Sequence, residues 1–297
     1  MALVDAADTH RSDSAVWVLT DRRYLSQRMP SAVVEWLRAA GHAPKLLVAD
    51  EGERRGHIAP VTDGGPHSTW AGLRPGDLVV ARSRHPIALG LLDEAVARGA
   101  RALNAPETVQ RVRDKVTCAL ALARRGLPVP RTLFAGRPED FADLPDEAFP
   151  LVVKPVQGDN ARGVRIVPSR DDLAWVASTS EPLMAQAYVE AGGFDVKLYV
   201  AGRRVWATRR PSPLRAPDAE PCRVPVTAGL RRIADGCRAE FGLPLFGVDV
   251  LESADGLAIV DVNEFPNYTG VAEAPAAIGA LILERSAGDV AAPAAAA

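Results

Sequence analysis

Three oxygen-bearing side chains stand where strands would pack better with hydrophobes. The stretch Gly247-Val-Asp-Val-Leu-Glu-Ser-Ala-Asp-Gly-Leu-Ala-Ile-Val-Asp-Val-Asn263 holds two strand-forming runs, the first carrying Asp249 and the second Asp261 and Asn263. Residues two apart on a strand share a face, so Asp261 and Asn263 point the same way. Asp249 joins them only if the register pairs it with Asp261. A three-residue turn, Ala254-Asp255-Gly256, pairing Ser253 with Leu257, gives that register, whereas a two-residue turn would turn Asp249 to the opposite face. Buried carboxylates left unpaired are costly, and a hard divalent cation offsets that cost. An all-oxygen, partly hydrated donor set suits Mg²⁺. The plain alternative is that both aspartates meet solvent on an exposed sheet face.

A second candidate is cationic. Pro150-Leu-Val-Val-Lys-Pro155 puts Lys154 at the end of an apolar strand, and Gly158 and Gly163 bracket the polar loop before the next strand. Such a loop can fold over phosphates and donate backbone N–H groups, with Lys154 as a point charge for a phosphate. Against this stand a lysine whose stem simply lies along apolar surface and glycines that serve turn geometry. Neither a GxxxxGK[ST] loop nor a strand-linked GxGxxG occurs.

The elements that must position these groups follow from periodicity. Val16–Thr20, Pro44–Ala49, Leu78–Arg82 and Ala102–Asn104 read as strands, alternating with helices over Ser31–Ala40 and Ile87–Arg98. That alternation predicts an open parallel α/β layer. Residues 51–76 read as loop. Glu107–Arg125 reads as one helix stopped by Gly126 and Pro128. Strands follow at Arg131–Ala135, Leu151–Lys154, Val164–Val167 and Met184–Val189, with a helix at Asp171–Ser178. Next come a hairpin of Phe194–Val200 and Arg204–Thr208, a Pro-rich loop over 211–225, a helix Thr227–Phe241, the hairpin 246–263, and a helix Pro275–Glu284.

Bulk properties exclude several classes. The 297 residues carry a net charge of −2 and 47% hydrophobic residues, so no basic field points to nucleic acid. No apolar run approaches the ~20 residues of a membrane span, and the polar N-terminus does not read as a signal peptide. Three scattered cysteines suggest neither disulfide framework nor zinc site. The expected setting is cytoplasmic. The five histidines all precede residue 86 without ligand spacing and read as surface or loop residues, with His85 alone a candidate for lining a substrate cleft. Trp36, Trp175 and Trp206 read as packing residues, and Cys118 as buried and inert. Glu264 stands either behind the acidic motif or in solvent.

Together the motifs resemble the ATP-grasp superfamily over roughly residues 100–272. They are Asp114-Lys115 leading to Gly-Leu-Pro-Val-Pro-Arg131, Val152-Val-Lys-Pro155 with its glycine loop, Gln186-Ala-Tyr-Val189, Asp195-Val-Lys-Leu-Tyr-Val200, and Asp249 with Asp-Val-Asn263. The resemblance implies an α/β fold: an N-terminal parallel layer (15–105), a central lobe (106–190) and a C-terminal lobe (191–289), the lobes being antiparallel sheets gripping ATP, between disordered tails (1–14 and 290–297). It implies ATP phosphates on Lys115, Lys154 and the loop of Gly158 and Gly163. Gln186 to Val189 would form the strand linking the two lobes, with backbone atoms around Tyr188 and Val189 reading the adenine, Glu190 or Asp195 holding the ribose or the neighbouring polar network, and one or two Mg²⁺ ions, or Mn²⁺ in their place, on Asp249, Asp261 and Asn263. Departures are Asp261 where the family has Glu, Ala187 where it has an acidic residue, and Lys197 where it has Arg.

Two branches compete. Asn104-Ala-Pro106 through Pro130 resembles ligases related to ribosomal protein S6 glutamate ligase (RimK type) and glutathione synthetase, which form an acyl phosphate that an amine attacks. Arg209 or Arg210, with Lys197, would then stabilise the reacting carboxyl. The later motifs partly resemble inositol trisphosphate 5/6-kinases, which need a basic pocket, here from Arg203, Arg204, Arg209, Arg210, Arg215 and Arg223. The ligase is the preferred reading, with a small-molecule or peptide substrate and a homodimer as the partner the architecture allows. A third alternative is a nucleotide-binding scaffold without chemistry.

Overall fold

A computed structural model describes residues 14–49, 69–135, 138–141, 143–158, 162–175, 182–212 and 219–288. Both predicted tails, apart from Ser14, most of the predicted loop 51–76 and the middle of the glycine loop (159–161) lie outside the described residues. The chain divides into two compact units, one of residues 1–103 with 275–297 and one of residues 104–274.

In the first unit, the strand β1 (Val16–Thr20) is followed by α1 (Arg22–Leu25), α2 (Arg28–Ala39), β2 (Lys45–Val48), β3 (Leu78–Arg82), α3 (Pro86–Ala97) and β4 (Arg101–Leu103). The strands form a parallel sheet in the order β2-β1-β3-β4, as the strand–helix alternation predicts. Trp17, Leu19 and Val79 pack on Leu91, Leu92 and Ala95 of α3, with Trp17 edge-on to Trp70 at 5.6 Å. Buried Asp77 accepts from the Trp17 indole (3.0 Å) and from the amides of Ala15 (2.9 Å) and Arg74 (3.0 Å), tying the strand starts together. The last helix (Ala274–Ser286) groups with this unit from Pro275 onward. Arg101 donates to its final carbonyls, Arg285 (2.6 Å) and Ser286 (2.8 Å), groups with no partner inside the helix.

The second unit opens with a correction. The predicted single helix over 107–125 is two: α4 (Pro106–Arg113) and α5 (Lys115–Arg124), broken at Asp114. Asp114 has extended backbone (φ −78°, ψ 105°), and its carboxylate accepts from the amide of Thr117 at 2.7 Å as the N-cap of α5. The cap costs one turn of helix and puts Lys115 at the first helical position.

Two antiparallel sheets follow. The first joins β5 (Thr132–Ala135), β6 (Leu151–Pro155), β7 (Arg165–Val167) and β8 (Leu183–Ala187) in the order β5-β8-β6-β7. The predicted helix 171–178 is a 3₁₀ segment, Arg170–Trp175, over its described part. The second sheet joins β9 (Phe194–Ala201), β10 (Arg204–Pro211), β11 (Cys222–Val224), β12 (Leu245–Ser253) and β13 (Gly256–Asn263) in the order β11-β10-β9-β12-β13. β11 is a short edge strand inside what reads as loop in the sequence. Behind this sheet packs α6 (Ala228–Phe241), capped by Thr227 and ended by Gly242 at φ +64°. Its apolar stripe of Leu230, Ile233, Ala234, Cys237 and Phe241 lies on Leu198, Val200, Val248 and Val250.

Candidate active site

The face of the five-stranded sheet opposite α6 carries the polar groups. Alternation fixes its membership. Asp195, Lys197 and Tyr199 on β9 pair with Arg210, Thr208 and Trp206 on β10, and with Leu251, Asp249 and Gly247 on β12. Asp249 pairs with Asp261, and Gly247 with Asn263, so the three predicted metal ligands share this face.

The register is reached by a different route from the predicted one. The turn is two residues, Ala254-Asp255, closed by Ser253 and Gly256. Alone it would send Asp249 to the far face. A bulge at Val260, between the pairs Asp249–Asp261 and Val250–Ile259, restores it. The bulge also frees the Val260 carbonyl, which accepts a 2.9 Å hydrogen bond from Lys154.

Facing this hairpin is the four-stranded sheet, whose Lys154 and Gln186 are buried. Lys154 Nζ donates to Gln186 Oε1 (2.7 Å), and Gln186 in turn donates to Thr132 Oγ1 (3.1 Å). Lys115 Nζ reaches Asp261 Oδ1 at 2.8 Å, and Lys197 Nζ reaches Asp249 Oδ1 at 2.8 Å. The Asn263 amide donates to both aspartates, at 3.3 Å to Asp249 and 3.4 Å to Asp261. Thus each carboxylate holds one lysine and shares one amide. The charges shift one another. Burial pushes the Lys154 ammonium down to about 8, with the Asp261 charge opposing it. Burial would raise the Asp261 carboxyl, but Lys115 and Lys154 outweigh it and hold the group below the usual carboxylate range. Burial works against the Lys197 ammonium, yet Asp249 outweighs it and the pKa rises. Burial, and then the Asp249 charge, push the Asp195 carboxyl up.

Between the sheets lies a cleft of about 630 Å³. Of the predicted site residues, Lys115, Lys154, Gly158, Gln186, Tyr188, Val189, Asp195, Lys197, Arg210, Asp249, Asp261 and Asn263 line it. Gly163, Glu190 and Arg209 do not. Gly163 sits at φ +73°, and a Cβ there would lie 2.9 Å from the Pro155 ring, so a side chain at this position would collide with Pro155. Glu190 is exposed beyond the end of β8. Arg209 belongs to the opposite face of β10, where its guanidinium stacks on Phe194 at 4.3 Å. The basic pocket a polyphosphate would need is not gathered. Arg203 and Arg204 are exposed at the β9–β10 turn, and Arg223 pairs with Glu273. Arg215 lies outside the described residues, so Arg210 is the one described arginine of that set in the cleft.

Several contacts in and around the cleft were not anticipated. Arg162 lines the cleft from the glycine loop, beside Ile166 and Val152 on the apolar wall. Glu264, open between two roles in the sequence, is buried and bound by Arg113 at 2.8 Å. Buried Asn104 reaches the same strand end. Cys118 is buried beneath Lys115 and Lys154, and its thiol is pushed far up by that burial, consistent with an inert residue.

Asp249 and Asp261 put two carboxylates on one face with the Asn263 amide beside them; that amide donates its nitrogen to both, and turned over it would offer its oxygen instead, so that the three groups would suit a divalent cation. Among the described residues no group of three or more His, Cys, Asp or Glu side chains is gathered, so the candidate site rests on two carboxylates and the Asn263 amide. Among those residues no helix is long and apolar enough to cross a membrane.

Comparison with known proteins bears on the family and the fold. Residues 112–282 match the model of the RimK-like ATP-grasp domain. A relative from Serratia proteamaculans named probable alpha-L-glutamate ligase is 32% identical over 260 residues, spanning 76% of this chain and 85% of its own length. The RimK domain ATP-grasp protein of Sphaerobacter thermophilus superposes with a TM-score of 0.69 at 19% identity, over 92% of this chain and 100% of that one. The ATP-grasp ligase PsnB, solved with a precursor variant, Mg and ADP, superposes with a TM-score of 0.66 at 19% identity, over 92% of this chain and 99% of that one. The fold is that of ATP-grasp proteins. Within that class, the chain belongs to the RimK-like ATP-grasp family.

Proposed function

We propose that this chain is an ATP-dependent carboxylate–amine ligase that works through an acyl phosphate, with an amino acid as one of its substrates. The observation that carries this reading is the face-to-face arrangement in the cleft. Asp249, Asp261 and Asn263 stand on one sheet, Lys154 and Gln186 on the other, and Lys115 touches the acidic side. The amino-acid substrate is supported by a relative named as a probable alpha-L-glutamate ligase.

In this account Asp249, Asp261 and Asn263 would hold Mg²⁺, which when bound neutralises charge on the phosphates. Lys154 and Lys115 bind phosphate oxygens. Tyr188 and Val189, with Val152, Ile166 and Leu251, give the flat apolar slot that an adenine ring needs. Arg210, beside Asp195 on the same sheet face, orients the substrate carboxylate and stabilises charge on its oxygen when the amine attacks. A carboxylate oxygen attacks the γ-phosphorus and ADP leaves. The amine then attacks the acyl carbon and phosphate leaves, carrying away the bond electrons and taking up the proton that the amine loses. Walls from two sheets keep water from the acyl phosphate, which would otherwise hydrolyse.

The test is ADP release against a panel of amino acids and short peptides, with hydroxylamine as trap. An acyl phosphate yields a hydroxamate. ADP release with a phosphorylated hydroxyl and no hydroxamate would overturn the ligase in favour of a kinase, and tight ATP binding without turnover on any member of the panel would favour a scaffold.

A further inference from the structure

We propose that Asn104, together with the Arg113–Glu264 ion pair, is a positioning element that closes the open end of the metal-facing hairpin; this rests on reading that face as the site of a Mg²⁺ nucleotide. The β12–β13 ladder runs from its turn to the pair Gly247–Asn263 and stops there. Asn263 is therefore both a candidate metal ligand and the last paired residue of its strand, where a sheet frays first. Just beyond it, Asn104 bridges both strands. Its side-chain amide donates to the carbonyls of Leu245 (2.6 Å) and Glu264 (2.6 Å), and its oxygen accepts from the Leu245 amide (3.3 Å). Asn104 is buried, so each of these backbone groups would be stranded by a hydrophobe there.

The Glu264 side chain is fixed separately. Arg113 places both Nε and Nη2 at 2.8 Å from Glu264 Oε1. Arg113 ends α4, Asp114 is the cap, and Lys115 begins α5 and holds Asp261. One helix junction thus grips Asp261 on β13 and Glu264 just after its end, on either side of Asn263. Gly247, opposite Asn263, completes the fit, because a Cβ there would lie 2.8 Å from Pro266 and push the strand end outward. Metal ligands must meet within a few tenths of an ångström, so groups that hold the ligands' backbone set affinity without touching the ion.

The test separates metal affinity from nucleotide affinity. Asn104→Ala removes all three bridging bonds, and Arg113→Met removes the ion pair while keeping most of the stem. Mn²⁺ binding would be read by electron paramagnetic resonance on the full chain saturated with AMPPNP, and AMPPNP binding by equilibrium dialysis without metal. Each variant should lose about tenfold or more in Mn²⁺ affinity, the range for groups that orient metal ligands, with metal-free AMPPNP affinity held within about twofold. Glu264→Gln, which keeps the oxygen that Arg113 binds, should retain most of the wild-type Mn²⁺ affinity. Unmoved Mn²⁺ affinity in both variants, or equal falls in the two affinities, would overturn the proposal; the second result is what a purely structural role gives. If Asn104→Ala fails to fold, Arg113→Met decides alone. Wild-type protein that holds no Mn²⁺ with AMPPNP would overturn the site reading and this inference with it, whereas an unmoved variant beside a binding wild type overturns the inference only.

Discussion

Replacing Lys154 with methionine tests the phosphate side of the site. Methionine fills the volume of the lysine stem but removes the ammonium, which donates to Gln186 Oε1 at 2.7 Å and to the Val260 carbonyl at 2.9 Å. Two effects on stability oppose each other. The variant strands two acceptors, at about 1–3 kcal/mol each, but it also frees the fold from desolvating an ammonium whose pKa burial has brought down to about 8. Stability should therefore change little. ATP affinity has no such offset. Losing one charged hydrogen bond to a phosphate oxygen costs about 1.5–3 kcal/mol, which is roughly 10- to 150-fold in dissociation constant. Isothermal titration with AMPPNP and Mg²⁺ measures this directly, with a thermal melt to confirm the fold. A folded variant that binds AMPPNP within about twofold of wild type would place the phosphates elsewhere and refute the argument.

Other expectations follow from the same structure. Because Lys154 is charged only below its pKa of about 8, ATP affinity in the free protein should weaken as pH rises through that value, which titrations from pH 6.5 to 9.5 would show; a flat profile would contradict the role of this ammonium. Asp77→Ala leaves the donors of Trp17, Ala15 and Arg74 without their acceptor and should destabilise the first unit by about 2–3 kcal/mol in a denaturant titration. Burial alone would raise the Asp77 carboxyl, but these hydrogen bonds outweigh it and hold it below its usual range. Its stabilisation is thus complete above the unfolded pKa of about 4 and is lost as pH falls through the lower folded value, a dependence the variant should lack. Gly279→Ala puts a methyl into the ring of Trp36 and should cost roughly 1–3 kcal/mol, read from the melting temperature; an unchanged melt would mean that the last helix does not pack there.

How much of this was legible in the sequence differs from residue to residue. Alternation along β13 showed that Asp261 and Asn263 share a face, and the order of motifs pointed to two antiparallel sheets. The partnership with Asp249 was also expected, but its cause was not. A two-residue turn and a bulge at Val260 give the same register as the longer turn, and a bulge inside an Ile-Val run leaves no mark in residue types. The break at Asp114 was legible in principle, since Asp three residues before Thr117 is a capping signal, but the apolar spacing of Val109 and Val112 on one side and Val116 and Ala119 on the other concealed it. The choice between Arg209 and Arg210 follows from the tight turn at Gly202-Arg203, which pairs Asp195 with Arg210 and sends Arg209 to the other face. Asn104 and Arg113 could not be found this way. Their partners lie 141 and 151 or more residues along the chain, and only the fold brings them together.

The β12–β13 hairpin would hold a divalent cation on Asp249, Asp261 and Asn263 when the nucleotide is bound. Electron paramagnetic resonance of Mn²⁺ with AMPPNP and either wild-type chain or Asp249→Ala tests it most directly. Measured against Mn²⁺ and AMPPNP without protein, wild-type chain should move the Mn²⁺ signal to a protein-bound form, and Asp249→Ala, still folded, should leave most of it as the complex with AMPPNP in solution. Equal Mn²⁺ uptake by the two proteins would contradict it.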